Sequence, residues 1–184
     1  MMMQDLNPIY LRELKQTDWR DVHAYCSQDR VCRFQAWGPN TPDQTLSFVS
    51  QALDDSRKVP RTRFAQAIVA VGTENLIGMV ELNIRSHTDR SGEIGYIVHP
   101  DVWGQGVATA AAGLMLKFGF EELHLHRIYA TCDPRNSGSS KVLTKIGMTY
   151  EGRLRDALLI KDGWRDSLMF SMLEHEWCKQ DNLK

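Results

Sequence analysis

The chain carries no excess of basic charge. In 184 residues, 22 Lys and Arg stand against 23 Asp and Glu, a formal net charge of −1. That balance excludes recruitment of nucleic acid through its phosphates, which takes a concentrated positive surface. Cysteine is sparse: Cys26, Cys32, Cys132 and Cys178 are scattered, with no Cys-x-x-Cys pair. Paired-cysteine zinc sites are thereby excluded, and these thiols are expected to be reduced and partly buried in a cytoplasmic protein. No apolar run approaches the length of about eighteen residues that a membrane-crossing helix needs, so no membrane span is expected. The leading Met-Met-Met-Gln-Asp-Leu-Asn-Pro has no apolar centre and an early acid, so no secretory signal is expected. A Walker-type phosphate loop is absent, because Gly-Lys-Ser/Thr does not occur. There is no internal repeat and no low-complexity tract.

What is present suffices for a buried core. Hydrophobic residues make up 42% of the chain, and the length fits one domain over 1–184, with a core of 8–174 and a short tail of 175–184. Ile9 to Leu14 alternates as a strand. Thr17 is placed to cap a helix with Trp19, Val22, Tyr25 and Cys26 inward. Arg30 to Trp37 reads as a helical turn entering a loop, and Gly38-Pro39-Asn40 breaks structure. Thr41-Pro42-Asp43-Gln44 combines a capping box with proline at the first helical position, and Leu46, Val49 and Leu53 form one apolar stripe. Three antiparallel strands follow: Phe64 to Val71, Leu76 to Ile84 and Glu93 to Val98. A helix after Gly106 carries Val107, Ala111, Leu114, Met115 and Phe118 at helical spacing. Arg127 to Cys132 returns as a strand parallel to the one before that helix. Ser137 to Ile146 is helical, with Gly147 where a left-handed cap belongs. A last hairpin joins Leu154–Lys161 to Trp164–Leu173 through Asp162-Gly163. The class is mixed α/β (α+β), a sheet covered by helices.

Chemistry concentrates between Glu93 and Thr109. Ile94, Tyr96 and Val98 alternate, Pro100 ends the ladder, and Gly104 and Gly106 let the backbone lie bare against a ligand. The helix that follows points unpaired N–H groups back into the loop, a ready site for phosphate or diphosphate. A dinucleotide-binding oxidoreductase would need a third glycine where Thr109 stands, and the glycines here follow an antiparallel run.

Trp103-Gly104-Gln105-Gly106-Val107-Ala108 resembles the acyl-CoA signature of the GNAT (Gcn5-related) N-acetyltransferase superfamily, written Arg/Gln-x-x-Gly-x-Gly/Ala. Trp at the first position is similar to the RimJ/RimL branch, the protein N-terminal acetyltransferases and their relatives. Asn136-Ser137-Gly138-Ser139-Ser140-Lys141-Val142-Leu143-Thr144-Lys145-Ile146-Gly147-Met148, followed by Glu151-Gly152, resembles that branch's Asn-x-Ala-Ser-x-Arg-Val-Leu-x-Lys-x-Gly-Phe and Glu-Gly. The resemblance runs from Ile9 to Leu173. It implies the GNAT fold, a mostly antiparallel sheet of about seven strands flanked by helices, with a splayed parallel pair between which pantetheine lies. It implies transfer of acetyl from acetyl-CoA to a primary amine, with no metal.

By the same resemblance, Trp103, Gly104, Gln105, Gly106, Val107, Ala108 and Thr109 hold the diphosphate. Ile97 and Val98 pair with pantetheine amides, and the Val98 N–H also meets the thioester oxygen. Asn136 binds pantetheine, or serves as a turn residue. Leu143 stands where many relatives have the tyrosine that protonates the leaving thiolate. Ser139 takes that role, or is a first-turn helix serine. Glu93 is the first candidate for the base, ahead of Glu81 and water. An α-amine of pKa about 8 is roughly a quarter neutral near pH 7.5, whereas a lysine amine is neutral to about one part in a thousand. A protein N-terminal α-amine or a small-molecule amine is therefore the expected acceptor. Antibiotic or polyamine modification and a non-catalytic acyl-CoA sensor are the alternatives. A monomer or homodimer is expected.

Among other residues, His124 and His126 flank Leu125 without further ligands and read as helix-end positions rather than a metal pair. His99 reads as a solvent-facing loop residue. Trp37 reads as a packed aromatic near the acceptor region, and Trp103 as packing beneath the phosphate loop.

Overall fold

A computed structural model describes residues 8–181. Of the leading segment, residues 1–7 lie outside the described residues, as do 182–184 of the expected tail. Strand β1 (Ile9–Glu13) leads into a single 3-10 turn at Gln16–Asp18 and helix α1 (Trp19–Cys26). Thr17 sits within that turn and does not cap α1. Asp18 organises the entry instead: its carboxylate accepts from the Lys15 N–H at 2.7 Å and from both terminal nitrogens of Arg12. A shorter side chain at 17 cannot compete with a carboxylate already held by a guanidinium.

Helix α2 (Asp29–Cys32) is one turn, and α3 (Pro42–Ser56) follows. The capping box at α3 is formed, with the Thr41 N–H donating to Gln44 Oε1 at 2.8 Å and the Gln44 N–H to Thr41 Oγ1 at 3.3 Å. Its inward face differs from the apolar stripe: Thr45, Val49 and Ala52 are buried, and Leu46 is 38% exposed. Thr45 can be buried because its hydroxyl donates to the Thr41 carbonyl and lies 3.0 Å from His23 Nδ1.

Strands β2 (Arg63–Ala70), β3 (Leu76–Ser86) and β4 (Ser91–Val98) form consecutive antiparallel pairs. Helix α4 (Val107–Lys117) then crosses to β5 (Arg127–Cys132), which lies parallel to β4. Helix α4 buries Val107, Ala111, Ala112, Met115 and Leu116, while Leu114 is 42% exposed. The inward face is thus rotated toward the alanines, whose small side chains bring the helix axis close to the sheet. Phe118 opens a π-helical turn, in which a Cβ on Gly119 would lie 2.5 Å from Ile128 Cδ1.

Helix α5 (Ser137–Lys145) ends at a left-handed Gly147 with φ of 85°. Strands β6 (Thr149–Ile160) and β7 (Gly163–Leu173) make the last hairpin, joined by Lys161-Asp162 rather than Asp162-Gly163. Strand β6 starts five residues earlier than its alternation suggests, because register shifts between Tyr150 and Gly152 and between Leu154 and Leu158 scramble the period. The chain does not trail away after 174. Helix α6 (Glu174–Asp181) stacks Trp177 on Phe120 at 5.8 Å between centroids.

The described strands form one seven-stranded sheet in the order β1-β2-β3-β4-β5-β7-β6. One apolar cluster lies under α4 and α5 and includes Ile94, Val98, Met115, Ile128, Leu143 and Phe170. The other lies under α1 and α3, which pack on β2 and β3. Alternation along β4 puts Gly95 on this second face. Gly95 is exposed, and a Cβ there would meet nothing within 4 Å.

Candidate active site

The parallel pairing of β4 with β5 stops early. Ser91, Gly92 and Glu93 match Arg127, Ile128 and Tyr129, yet the strands run on to Val98 and Cys132. Beyond Glu93 they diverge. Which backbone groups face the gap follows from the neighbouring ladders. The His99 N–H donates to the Ile77 carbonyl at 2.8 Å, which makes His99 opposite Ile77 a hydrogen-bonded pair. Such pairs recur at every second residue of an antiparallel ladder. Ile97, opposite Met79, and Gly95, opposite Glu81, therefore spend their backbone groups on β3. Val98 and Tyr96 turn theirs toward β5. On the other side the Glu174 N–H donates to the His126 carbonyl. By the same alternation Thr131 faces the gap and Cys132 faces β7. The expectation for Ile97 changes accordingly, since its amide belongs to the sheet and its neighbours Tyr96 and Val98 face the opening.

Above the gap lies the mouth of α4. Gly106 occupies the N-cap position in the left-handed region (φ 79°, ψ 0°), and no side chain caps the helix. Gly104 is also left-handed, with φ of 76°. Both conformations are cheap for glycine and cost other residues roughly 1–2 kcal/mol. The N–H groups of Val107, Ala108 and Thr109 consequently lack intrahelical acceptors and point into the loop. Gln105 turns away, its side-chain amide donating to the Asp101 carbonyl at 2.8 Å. Trp103 does not pack beneath the loop. It is 47% exposed, its indole N–H donates to the Val98 carbonyl at 3.0 Å, and the Arg30 guanidinium stands 5.8 Å from its ring. The Val98 carbonyl is thus occupied, which leaves that residue's N–H as its group toward the gap.

Gap and helix mouth belong to one cavity of about 700 Å3, lined by β4 from Ile94 to Val98, the glycine loop, β5 from Ala130 to Cys132 with Asp133 after it, α5 and the segment Arg30–Gln35. Asn136 and Ser139 both line it. Asn136 Oδ1 accepts from the Ser139 N–H at 3.1 Å, so this residue is the N-cap of α5 as well as a cavity residue. Ser139 Oγ lies 3.0 Å from Tyr96 Oη, and the Ser139 carbonyl also accepts from that phenol at 3.1 Å. Burial pushes the Tyr96 phenol up, well beyond its ordinary range, with the Ser139 bond opposing weakly, so Tyr96 remains a neutral donor. The Cys132 thiol beside Ser139 is likewise raised by burial.

Tyr96 is the residue that reading the sequence missed. Leu143, where a tyrosine was sought, is 1% exposed, and a phenol reaches the same neighbourhood from β4. The signal was in the alternation, which puts Tyr96 on the α5 side of the sheet between Ile94 and Val98.

The expected bases lie elsewhere. Glu93 is outside the cavity, at the level where β4 and β5 still pair, and Arg85 Nε donates to its carboxylate at 2.9 Å. Glu81 lies directly opposite Gly95 and accepts from Arg63 Nη2 at 2.7 Å. His99 is held rather than free in solvent: its Nδ1 accepts from the Asp101 N–H, and its ring meets Tyr25 edge-on at 6.4 Å. Trp37 is 39% exposed and lies off the cavity, where Phe34 takes the place next to the opening. His126 pairs with Glu174.

A bare helix mouth continuous with a gap edged by strand amides fits a long guest, with a diphosphate at one end and peptide-like amides along its arm. Such a site defines a protein that handles acyl-coenzyme thioesters. The model of the acetyltransferase (GNAT) domain family matches residues 9–149. The uncharacterized N-acetyltransferase YnaD of Bacillus subtilis (strain 168) is 31% identical over 92% of this chain and 95% of its own. Spermidine N(1)-acetyltransferase of Escherichia coli (strain K12) is 28% identical over 95% of this chain and 91% of its own. A crystal structure of a GNAT-family acetyltransferase from Bacillus anthracis superposes with a TM-score of 0.81 at 30% identity, covering 95% of this chain and all of that one. The chain belongs to the GNAT acetyltransferase family. It is an acetyl-CoA-dependent N-acetyltransferase acting on an amine.

Proposed function

We propose that this chain, a member of the RimJ/RimL branch, acetylates an amine of low basicity, a protein N-terminal α-amine or a small-molecule amine, with its own acetyl-CoA bound across the gap. The observation that carries this reading is the continuity of the α4 mouth with the Tyr96, Val98 and Thr131 backbone groups in one cavity. Acetyl-CoA supplies an acyl group activated on sulfur, and the chemistry is transfer of that acyl group to nitrogen. The N–H groups of Val107, Ala108 and Thr109 bind the diphosphate. The Val98 N–H donates to the carbonyl oxygen as it gains negative charge, a contribution of about 3 kcal/mol for a fixed donor.

Ser139 protonates the departing sulfur. Its hydroxyl lies 3.0 Å from Tyr96 Oη; with Tyr96 donating to Ser139 Oγ, the Ser139 proton passes to the sulfur, the phenol proton replaces it, and solvent restores the phenol. The amine's proton goes to water on the open face above Gly95. Glu81 is the nearer of the two carboxylates to that face's opening, and Glu93 holds Arg85 in place. A solvent base suits an α-amine of pKa about 8 far better than a lysine of about 10.4. A polyamine acceptor is the second reading, favoured by the similarity to a spermidine acetyltransferase.

The test is thiol release from acetyl-CoA with peptides bearing free N-termini, amino acids and polyamines, alongside calorimetry with acetyl-CoA. Turnover of an α-amine with micromolar coenzyme affinity is expected. Tight coenzyme binding with no acceptor turned over would replace the transferase by a sensor.

A further inference from the structure

The charged residues lining the cavity are Arg30, Arg33, Lys141, Lys145 and Arg165 against the single acid Asp133. Arg30 stands by Trp103 at the phosphate loop, and both lysines lie on α5 across from it. On the acetyltransferase reading, these three fall to the coenzyme's phosphates. Arg33 and Arg165 are left over, on the side of Phe34 and Asp133.

Arg165 is unusual. Its side chain is 10% exposed, and its Nε is buried with no hydrogen-bond acceptor among the described residues. The nearest carboxylate, Asp133 Oδ2, is 4.0 Å away. That carboxylate is already taken. It accepts from the Arg135 N–H at 2.8 Å, from Nε at 3.0 Å and from Nη2 at 2.8 Å. Burial opposes its ionisation, but the Arg135 hydrogen bonds outweigh that and hold Asp133 below the usual carboxylate range. One carboxylate is therefore shared by two guanidiniums: Arg135 has a second partner in Asp162 at 3.9 Å, while the Arg165 Nη1 donates to the Asp166 carbonyl at 3.3 Å and its Nε keeps no acceptor. Arg12, the other arginine with a buried unpartnered Nε, differs: Asp18 grips both of its terminal nitrogens, at 2.7 and 2.9 Å. A buried guanidinium whose carboxylate is shared and whose Nε lacks an acceptor is costly unless a further anion completes it.

Arg165 lines the cavity that Val98 also lines, from β7, which pairs with β5 on the side away from β4.

Resting on the acetyltransferase reading above, we propose that Arg165, with Arg33 of the same cavity lining, binds a carboxylate carried by the acceptor close to its amine. The acceptor class is a carboxylate-bearing amine, either a free amino acid or a peptide whose α-amine is followed by an acidic residue. A polycation such as spermidine meets the wrong sign of charge at this wall.

Two matched pairs test this by kcat/KM: alanine against alaninamide, and a peptide beginning Ala-Asp against the same peptide beginning Ala-Asn. Spermidine completes the set. At least one pair is expected to favour the carboxylate by about tenfold or more, as for a charge-assisted bidentate contact, and the pair that does so identifies the source. The ratio falls toward one in Arg165→Met and is retained in Arg165→Lys, while acetyl-CoA affinity by calorimetry stays at the wild-type value. A ratio near one in both pairs, a preference for spermidine, or a ratio that survives Arg165→Met overturns the proposal. So does weakened acetyl-CoA binding in Arg165→Met, which would give Arg165 to the coenzyme. Wild-type protein that fails to bind acetyl-CoA would sink the transferase reading itself, a result distinct from tight binding with the wrong acceptor preference.

Discussion

Two helices open onto the same gap, and their mouths are built in opposite ways. Helix α4 has Gly106 as its N-cap, and no side chain caps its first N–H groups. Helix α5 begins at Asn136, whose Oδ1 already satisfies the Ser139 N–H. The bare mouth can accept an external anion, whereas the capped mouth is stable by itself and frees a hydroxyl and an amide N–H2 for finer contacts. One helix end therefore offers unpaired backbone donors, and the other offers side-chain groups.

The largest effect should come from closing the bare mouth. In Gly106→Val a β-branched residue must sit at φ of 79°, which costs roughly 1–2 kcal/mol of stability. Losing two charge-assisted hydrogen bonds of about 1.5 kcal/mol each would weaken acetyl-CoA binding by about a hundredfold. Calorimetry reads the affinity and thermal melting the stability; unchanged affinity would remove α4 from coenzyme binding. At the capped mouth, Ser139→Ala leaves the Asn136 cap on its backbone N–H intact. Its kcat should fall by at least about tenfold with little change in acetyl-CoA affinity, and an unaltered rate would take Ser139 out of the mechanism.

Asn136 separates its two roles by substitution. Asn136→Asp keeps the cap and replaces the amide N–H2 by charge, so melting should hold while acetyl-CoA affinity drops by about tenfold. Asn136→Ala loses the cap as well, at about 1 kcal/mol. Equal affinity in both variants and the wild type would reduce Asn136 to a cap.

The smallest effect lies away from both mouths. Hydrogen bonds from Arg127, then from Ser171, hold the Glu151 carboxyl down to about 2. A folded value below the unfolded one stabilises the protein above pH ~4.5, and that contribution is lost as pH falls toward about 2. Glu151 is largely exposed, so Glu151→Gln should cost less than about 1 kcal/mol near neutrality and flatten acid unfolding across that window. An unchanged acid limb would show that Glu151 contributes nothing.

The glycine loop was legible because a left-handed backbone and a bare helix mouth demand glycine wherever the chain folds. The α3 capping box and Gly147 were legible for the same local reason. Leu46 was misassigned because a satisfied threonine can be buried as cheaply as a leucine. Trp103 was misplaced because its indole N–H finds a carbonyl at the end of β4, a contact spacing does not show. Glu93 looked available on its strand, and Arg85 on β3, eight residues before it, holds it.

Element order, the turns, the bare amides of the phosphate loop and the Asn136 cap follow from neighbours in the chain, because φ, ψ and capping are set within a few residues. The divergence of β4 from β5, the meeting of Tyr96 with Ser139 and the sharing of Asp133 between Arg135 and Arg165 depend on segments far apart in sequence. Those were decided only when the sheet closed, because hydrogen-bond direction, burial and charge compensation are properties of what packs alongside.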